Sequence, residues 1–412
     1  MDLFTVITVL FLISSVFSYI NARWIKLPGV IGVMVLAIVM ALALTIFGKT
    51  IPVISGFILS VLSSIDFSKT LLNSMLGFLL FASALHFDIN KLRGNLKSVV
   101  VISTVGVILS ALLFGSMLYY ALAWLHIELP WIYCLIFGAL ISPTDAVAVA
   151  ALLTKSKMPE RLRTIITGES LFNDGIGIVL FISFSEIASI PDKTFAWGAV
   201  GQLFAQEVFG GLILGLILGW FAYCMMRSIE DFQTIVLISF TLVMCISVVG
   251  SLIHVSIPLA VVAAGLLVGS HPFRKKTASV ALSDYLEKIW KLTDHVLNTI
   301  LFVLIGLQMV AVTFSLDYLW VGLIAIVSML LARAASIVLP IVFLRRTLNV
   351  QYNSVVILTW GGLRGGISVA LALSLPPSPY RELILTASFI IVIFSVVIQG
   401  LTLNKVVDKV IS

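Results

Sequence analysis

Apolar runs of roughly 18 to 25 residues recur from Leu3 to Leu403, and each is long enough for a helix to cross a hydrocarbon core about 30 Å thick. A chain built this way has few folds open to it. Without water in the bilayer core, every backbone N–H and C=O must be satisfied inside the protein, which leaves helices and closed barrels. The runs are continuous rather than alternating, so strands of a barrel do not fit. Composition agrees: 60% of the 412 residues are hydrophobic and 11% are charged, against about 25% charged in a soluble domain. The fold class expected is an all-α polytopic membrane protein.

About thirteen spans are predicted, near 3–20, 28–47, 67–86, 98–124, 130–153, 164–189, 199–225, 232–253, 256–270, 290–313, 317–343, 353–375 and 383–404. The short apolar stretch 51–64 reads as a re-entrant or interfacial piece on the outside. Lys and Arg set the orientation. With the N-terminus outside, nineteen of them fall in inner loops and four in outer loops. The remaining two, Arg333 and Arg364, lie inside spans. That bias favours an odd number of spans and a cytoplasmic C-terminus in a cell (inner) membrane. The first run is no signal peptide, because Asp2 precedes it and Arg23 and Lys26 follow it. The net charge of +6 reflects the same inner loops and gives no sign of nucleic-acid binding. Cys134, Cys224 and Cys245 lie in apolar runs without metal-ligand spacing and are expected as buried small hydrophobes. The longest polar connection runs from His271 to about Trp290, no soluble domain is visible, and a large cytoplasmic tail is not expected.

Two spans look interrupted. Span five contains Ser142-Pro143-Thr144-Asp145, where Pro143 has no amide hydrogen and disfavours helix at Ser142. Span twelve contains Gly361-Gly362-Leu363-Arg364-Gly365-Gly366, a poor helix interior. Backbone freed at membrane depth persists only where protein or a watery cavity satisfies it. The breaks are seven spans apart, and an odd offset inverts orientation. Residues 1–190 and 230–412 therefore read as inverted repeats within one transporter domain spanning 1–412. The alternative is two unrelated kinks.

Span six carries Gly168-Glu169-Ser170-Leu171-Phe172-Asn173-Asp174-Gly175. Carboxylates at membrane depth are costly and mark function. Ser170 and Asp174 are four apart and share a helix face, and Glu169 and Asn173 share a neighbouring one. Asp145 with the Thr144 hydroxyl adds oxygen at the first break. Oxygen ligands of this kind suit hard cations and protons. Because a bare charge is hard to move past an apolar barrier, such a site crosses only when neutralised, and that coupling makes exchange obligatory. Glu169 is assigned as the partner of Arg333, a structural pair carrying no transported charge. For Asp174 a shuttling role is preferred over a carboxylate satisfied by Arg364. Asp145 either binds the ion or orders the break. Asp88, Glu186 and Glu207 are expected at interfaces.

These motifs, with Leu80 to Asp88, Pro258 to Gly269 and Asn298 to Gln308, resemble those of the monovalent cation–proton antiporters over essentially the whole chain. The branch most similar is the prokaryotic sodium–proton antiporters related to animal sodium–hydrogen exchangers. The resemblance implies a homodimer with a dimerisation domain and a mobile core moving as an elevator. It places the core around 98–189 and 317–404, with broken helices crossing at its centre. It implies that Asp174 binds the ion, with Ser170, Thr144 and Asp145 coordinating it or organising its shell. Asn173 matches the asparagine of the electroneutral branch, Glu169 and Arg333 the family's buried ion pair, and Arg364 the arginine of the second break. The short C-terminus departs from the longer exchangers, so their cytoplasmic regulation is not carried over.

The function expected is electroneutral exchange of one Na+ for one H+ by alternating access, without a cofactor or catalytic residue. The partners are the monovalent cation, the proton, membrane lipid and a second copy. The alternative keeps the mechanism and changes the ion to potassium or lithium. A remote alternative is an intramembrane aspartyl protease using Asp145 and Asp174 as a dyad, though the Gly-x-Gly-Asp signature is lacking. A channel would need a carbonyl-ring filter, which nothing here resembles.

Overall fold

The structure is a computed structural model describing residues 2–47, 70–145, 158–189, 197–270, 280–311, 316–343 and 353–411, with isolated positions 56, 60, 67 and 149. The expected outer piece at 51–64 falls almost wholly outside these residues. The described residues contain helices and connections but no strand.

In chain order the helices are α1 (Leu3–Ile20), α2 (Gly29–Phe47), α3 (Leu76–His86), α4 (Ile89–Val101), α5 (Val107–Trp124), α6 (Trp131–Ile141), α7 (Glu160–Ala188) and α8 (Trp197–Arg227). They continue with α9 (Phe232–Leu252), α10 (Ile257–Val268), α11 (Val280–Gln308), α12 (Leu316–Phe343), α13 (Asn353–Trp360), α14 (Gly366–Leu373), α15 (Arg381–Ile393) and α16 (Leu401–Ile411). Wider π-type turns join α4 to α5 (Ile102–Gly106) and α15 to α16 (Phe394–Gly400), so each pair runs as one continuous rod. Eight helical rods among the described residues are long and apolar enough to cross a membrane. Shorter apolar helices cover Ile31–Leu44, Thr70–His86, Trp131–Ile141 and Ile257–Val268.

The outward faces confirm the solvent. On α8, Phe209, Ile213, Ile217 and Phe221 follow one another at four-residue spacing and are 64%, 56%, 61% and 64% exposed. A soluble protein does not present such a stripe to water. Against lipid it carries no penalty, because the bilayer replaces the core. The chain is a multi-pass membrane protein.

Two helices start earlier than predicted. α4 begins at Ile89 rather than at 98, with Asp88 as its N-cap accepting from the Asn90 amide at 2.9 Å. Lys91, Arg93, Asn95 and Lys97 make its first turns read as a loop, yet a polar helix end is stable where the membrane meets water. α11 begins at Val280 rather than 290, so much of the expected polar connection is helix. Trp290 is then fully buried mid-helix, where its Nε1 donates to Ser239 Oγ at 3.0 Å and its ring lies on Phe240. Cys134 is buried as expected, but Cys224 and Cys245 are exposed on α8 and α9.

Packing places α7 against α6, α6 against α14, α12 against α5 and α15, and α11 against α2 and α3. These contacts bring the two interrupted segments together.

Candidate ion-binding site

α6 stops at Ile141, and the Ser142 hydroxyl turns back onto Gly138 O at 2.7 Å. From Ser142 to Asp145 the chain is not helical. On the other side of the crossing, α13 stops at Trp360 and α14 begins at Gly366. The Asp145 N–H donates to Leu363 O at 2.7 Å, so the two breaks are joined through their backbones. Gly365 is required there, because a Cβ at this position collides with the Asp145 carboxylate. Gly177 of α7 has the same role on the third side, where a Cβ strikes the Pro143 ring.

Breaking a helix in a membrane releases carbonyls that need donors. Arg364, 1% exposed, supplies them: its Nη1 donates to Pro143 O at 2.9 Å and to Ser142 O. Its own amide donates to Ser395 Oγ at 2.8 Å, in the wide turn between α15 and α16. A guanidinium at the C-terminal end of α6 also sits at the negative end of that helix dipole. Arg364 therefore serves the first break. Among the described residues no ion pair joins it to Asp174.

α7 passes through this crossing as an unbroken helix. Glu169 is fully buried and is gripped by Arg333 of α12, with Oε1 at 2.5 Å from Nη1 and Oε2 at 2.8 Å from Nη2. The Nη2–Oε2 contact is a hydrogen bond and the Nη1–Oε1 approach an ion-pair contact, so the buried acid and base compensate each other's charge. Ser170 Oγ lies 2.8 Å from Thr144 Oγ1, and Asn173 Nδ2 donates to that same oxygen at 2.6 Å. Asn173 Oδ1 also accepts from the Thr144 amide at 3.3 Å. The pairing by helix face changes accordingly. Asn173 acts with Ser170, three residues away, rather than with Glu169, since both spacings face a neighbour on a helix.

Asp174 is 4% exposed, and its Oδ1 is buried with no hydrogen-bond partner among the described residues. It lines a small cavity with Thr144, Asp145, Ser83, Asn298 and Ser368. Ser368 Oγ is likewise buried without a partner. An acidic oxygen and a hydroxyl left unsatisfied in a low-dielectric interior are costly. The polar part of this lining offers carboxylate, hydroxyl and amide groups and no His or Cys, which suits a proton or a hard monovalent cation rather than a transition metal. Among the described residues no group of three or more His, Cys, Asp or Glu side chains is placed to hold a metal.

Sequence reasoning missed Ser83, Ser368, Asn298 and Asp294. Asn298 stood in a stretch already singled out, and Asp294 lies one helical turn before it. Glu207, expected at an interface, is instead 8% exposed and lines a second cavity with His254 and Ser256. Glu186 is exposed near the end of α7.

The family described as "Sodium/hydrogen exchanger, transmembrane" matches residues 9–409. The Na(+)/H(+) antiporter NhaP of Pseudomonas aeruginosa is 37% identical over 403 residues, covering 97% of this chain and 95% of that protein. The Na(+)/H(+) antiporter NhaH of Halobacillus dabanensis is 30% identical over 396 residues, covering 94% and 93%. Among solved structures, the sodium proton antiporter MjNhaP1 from Methanocaldococcus jannaschii at pH 8 superposes with a TM-score of 0.80 and covers 100% of both chains at 18% identity. That likeness shows a shared fold.

Proposed function

The chain belongs to the sodium/hydrogen exchanger family, and from that premise we propose that it exchanges one sodium ion for one proton across a cell membrane, with Asp174 carrying either. The family is one of transporters and not of enzymes, so the aspartyl-protease reading of Asp145 and Asp174 falls. No cofactor is needed. The observation that carries the proposal is the Oδ1 of Asp174, without a partner among the described residues, buried at the crossing of two broken helices and facing a cavity with Thr144 and Asp145.

In this reading the cation binds Asp174, with oxygens of Ser170, Thr144 and Asp145 in or around its shell. A proton competes for the same carboxylate. The site crosses the apolar barrier when either ligand cancels its charge, because the bare carboxylate is held back by several kcal/mol of desolvation. Stoichiometry follows from what surrounds Asp174. Asn173 brings no charge, Glu169 with Arg333 forms a permanent neutral pair, and Asp145 keeps one charge state while it orders the break, so one acid shuttles and the cycle is electroneutral. Arg364 stays with the carbonyls of the first break.

Alternating access then takes the form of an elevator. A core around 98–189 and 317–404 moves against a dimerisation scaffold, within inverted repeats at 1–190 and 230–412. The assembly is a homodimer with its N-termini outside and C-termini in the cytoplasm. The names of the relatives favour sodium over lithium or potassium.

Proteoliposomes test this directly. An imposed sodium gradient drives proton movement without a counter-ion shunt, and the initial rate is the same at every clamped voltage. A rate that follows voltage removes the electroneutral reading. Absence of flux with sodium, lithium and potassium chlorides alike removes antiport altogether.

A further inference from the structure

Asp294 has no place in the cycle just described, yet it lies one helical turn from its central cavity. α11 packs along α3. Asn298 of α11, 2% exposed, lines the cavity that holds Asp174 and Asp145. Asp294 precedes it by four residues, on the same face and about 6 Å further along the axis. The two side chains are linked: Asn298 Nδ2 donates to Asp294 Oδ1 at 2.9 Å and also to Asp294 O.

α3 repeats the pattern. Ser83 lines the cavity, and His86 follows one turn later. The His86 ring lies between Ala82 O and, at 3.1 Å, Glu287 O of α11. Polar groups on two facing helices thus lead away from the cavity in one direction. Beyond His86 the chain turns into α4, where Lys91 pairs with Glu160 at 2.8 Å and Asn95 accepts from Arg161 at 3.2 Å. This charged end of the bundle is the face toward which the polar lane leads.

We propose that Asp294 is the access carboxylate for cations passing between Asp174 and the face that carries Lys91 and Glu160, with Asn298 holding it in line. The proposal rests on the exchange reading above. A cation leaving water for Asp174 sheds its hydration in a low-dielectric interior, and doing so in one step is costly. An acid halfway holds the partly hydrated ion by its charge and raises its local concentration. Asp294 suits that position. It is half-buried, and among the described residues no Lys, Arg or His forms an ion pair with it. Asn298 donates to one carboxylate oxygen. Glu169, by contrast, has the guanidinium of Arg333 against it.

The test uses the full-length protein in vesicles sorted by orientation, with sodium-dependent proton flux started from each face in turn. Asp294→Asn raises the apparent KM for sodium about tenfold from the Lys91–Glu160 face, with KM from the opposite face held within about twofold. Asp294→Glu restores the wild-type value. If Asp294→Asn does not reach the membrane folded, Asp294→Ser removes the same charge with a smaller side chain and carries the same expectation. An unshifted KM, or an equal rise from both faces, overturns the proposal. Wild-type vesicles separate the two readings: if they exchange normally while the variant is unshifted, only the role of Asp294 falls. If they do not exchange at all, both fall.

Discussion

Glu169 and Asp174 are two buried carboxylates on one helix, five residues apart, and their surroundings make them opposites. Five steps of about 100° turn the second side chain well away from the first. Glu169 therefore points at α12, where Arg333 holds both of its oxygens. Asp174 points at the cavity between the broken segments, and one of its oxygens has no partner among the described residues. A carboxylate whose counter-charge is built into the protein has nothing to exchange. On the proposed cycle, one without a counter-charge among the described residues takes it from solution, as a proton or as a cation. The contrast sets an acid with its counter-ion built in beside the acid proposed to carry the transported ion.

Four experiments break or sharpen that contrast. Asp174→Asn has the largest expected effect on transport: sodium-driven proton flux in proteoliposomes falls by about a hundredfold or more, while the melting temperature holds or rises because a buried charge has gone. Retained flux contradicts the role of Asp174. Arg333→Met gives the opposite signature, destabilising the detergent-solubilised protein by about 3–5 kcal/mol as Glu169 is left uncompensated. Adding Glu169→Gln to that variant recovers most of the loss, and if the double variant is no more stable than the single one, the pair is not what holds α7 to α12. Competition at Asp174 sets the third expectation. Protons displace sodium as pH falls, so in the competitive range the apparent KM for sodium rises about tenfold per pH unit. A KM that stays flat across the active range rules out a shared carboxylate. Thr144→Val has the smallest effect. It removes the oxygen shared by Ser170 and Asn173 and weakens sodium affinity about three- to tenfold, as read from the KM.

Much of this was legible in the residues. Apolar runs announce helices because the bilayer admits few other structures. Pro143 and the glycines from 361 to 366 announce the breaks because neither suits a helix interior. Glu169 was matched to Arg333 because each needed a counter-charge in the membrane. What escaped was set by contacts across the fold. The target of Arg364 is a pair of backbone carbonyls, which have no side-chain signature. The grouping of Asn173 with Ser170 depends on where Thr144 sits, not on helical periodicity. The first turns of α4 and α11 are too polar to read as parts of spans. Asp294 fell inside the predicted span at 290–313, but only its bond to Asn298 across one helical turn placed it beside the cavity.

The link between Arg364 and the carbonyls at 142 and 143 reaches across 221 positions of the chain. A ribosome adding about 5–20 residues per second needs on the order of 10–45 s to deliver that arginine after the proline has emerged. Throughout that interval the first broken segment is already in the bilayer without its permanent donor. The order of synthesis therefore makes the first break the last part of the crossing to be completed, because its carbonyls wait for a donor from the far end of the chain.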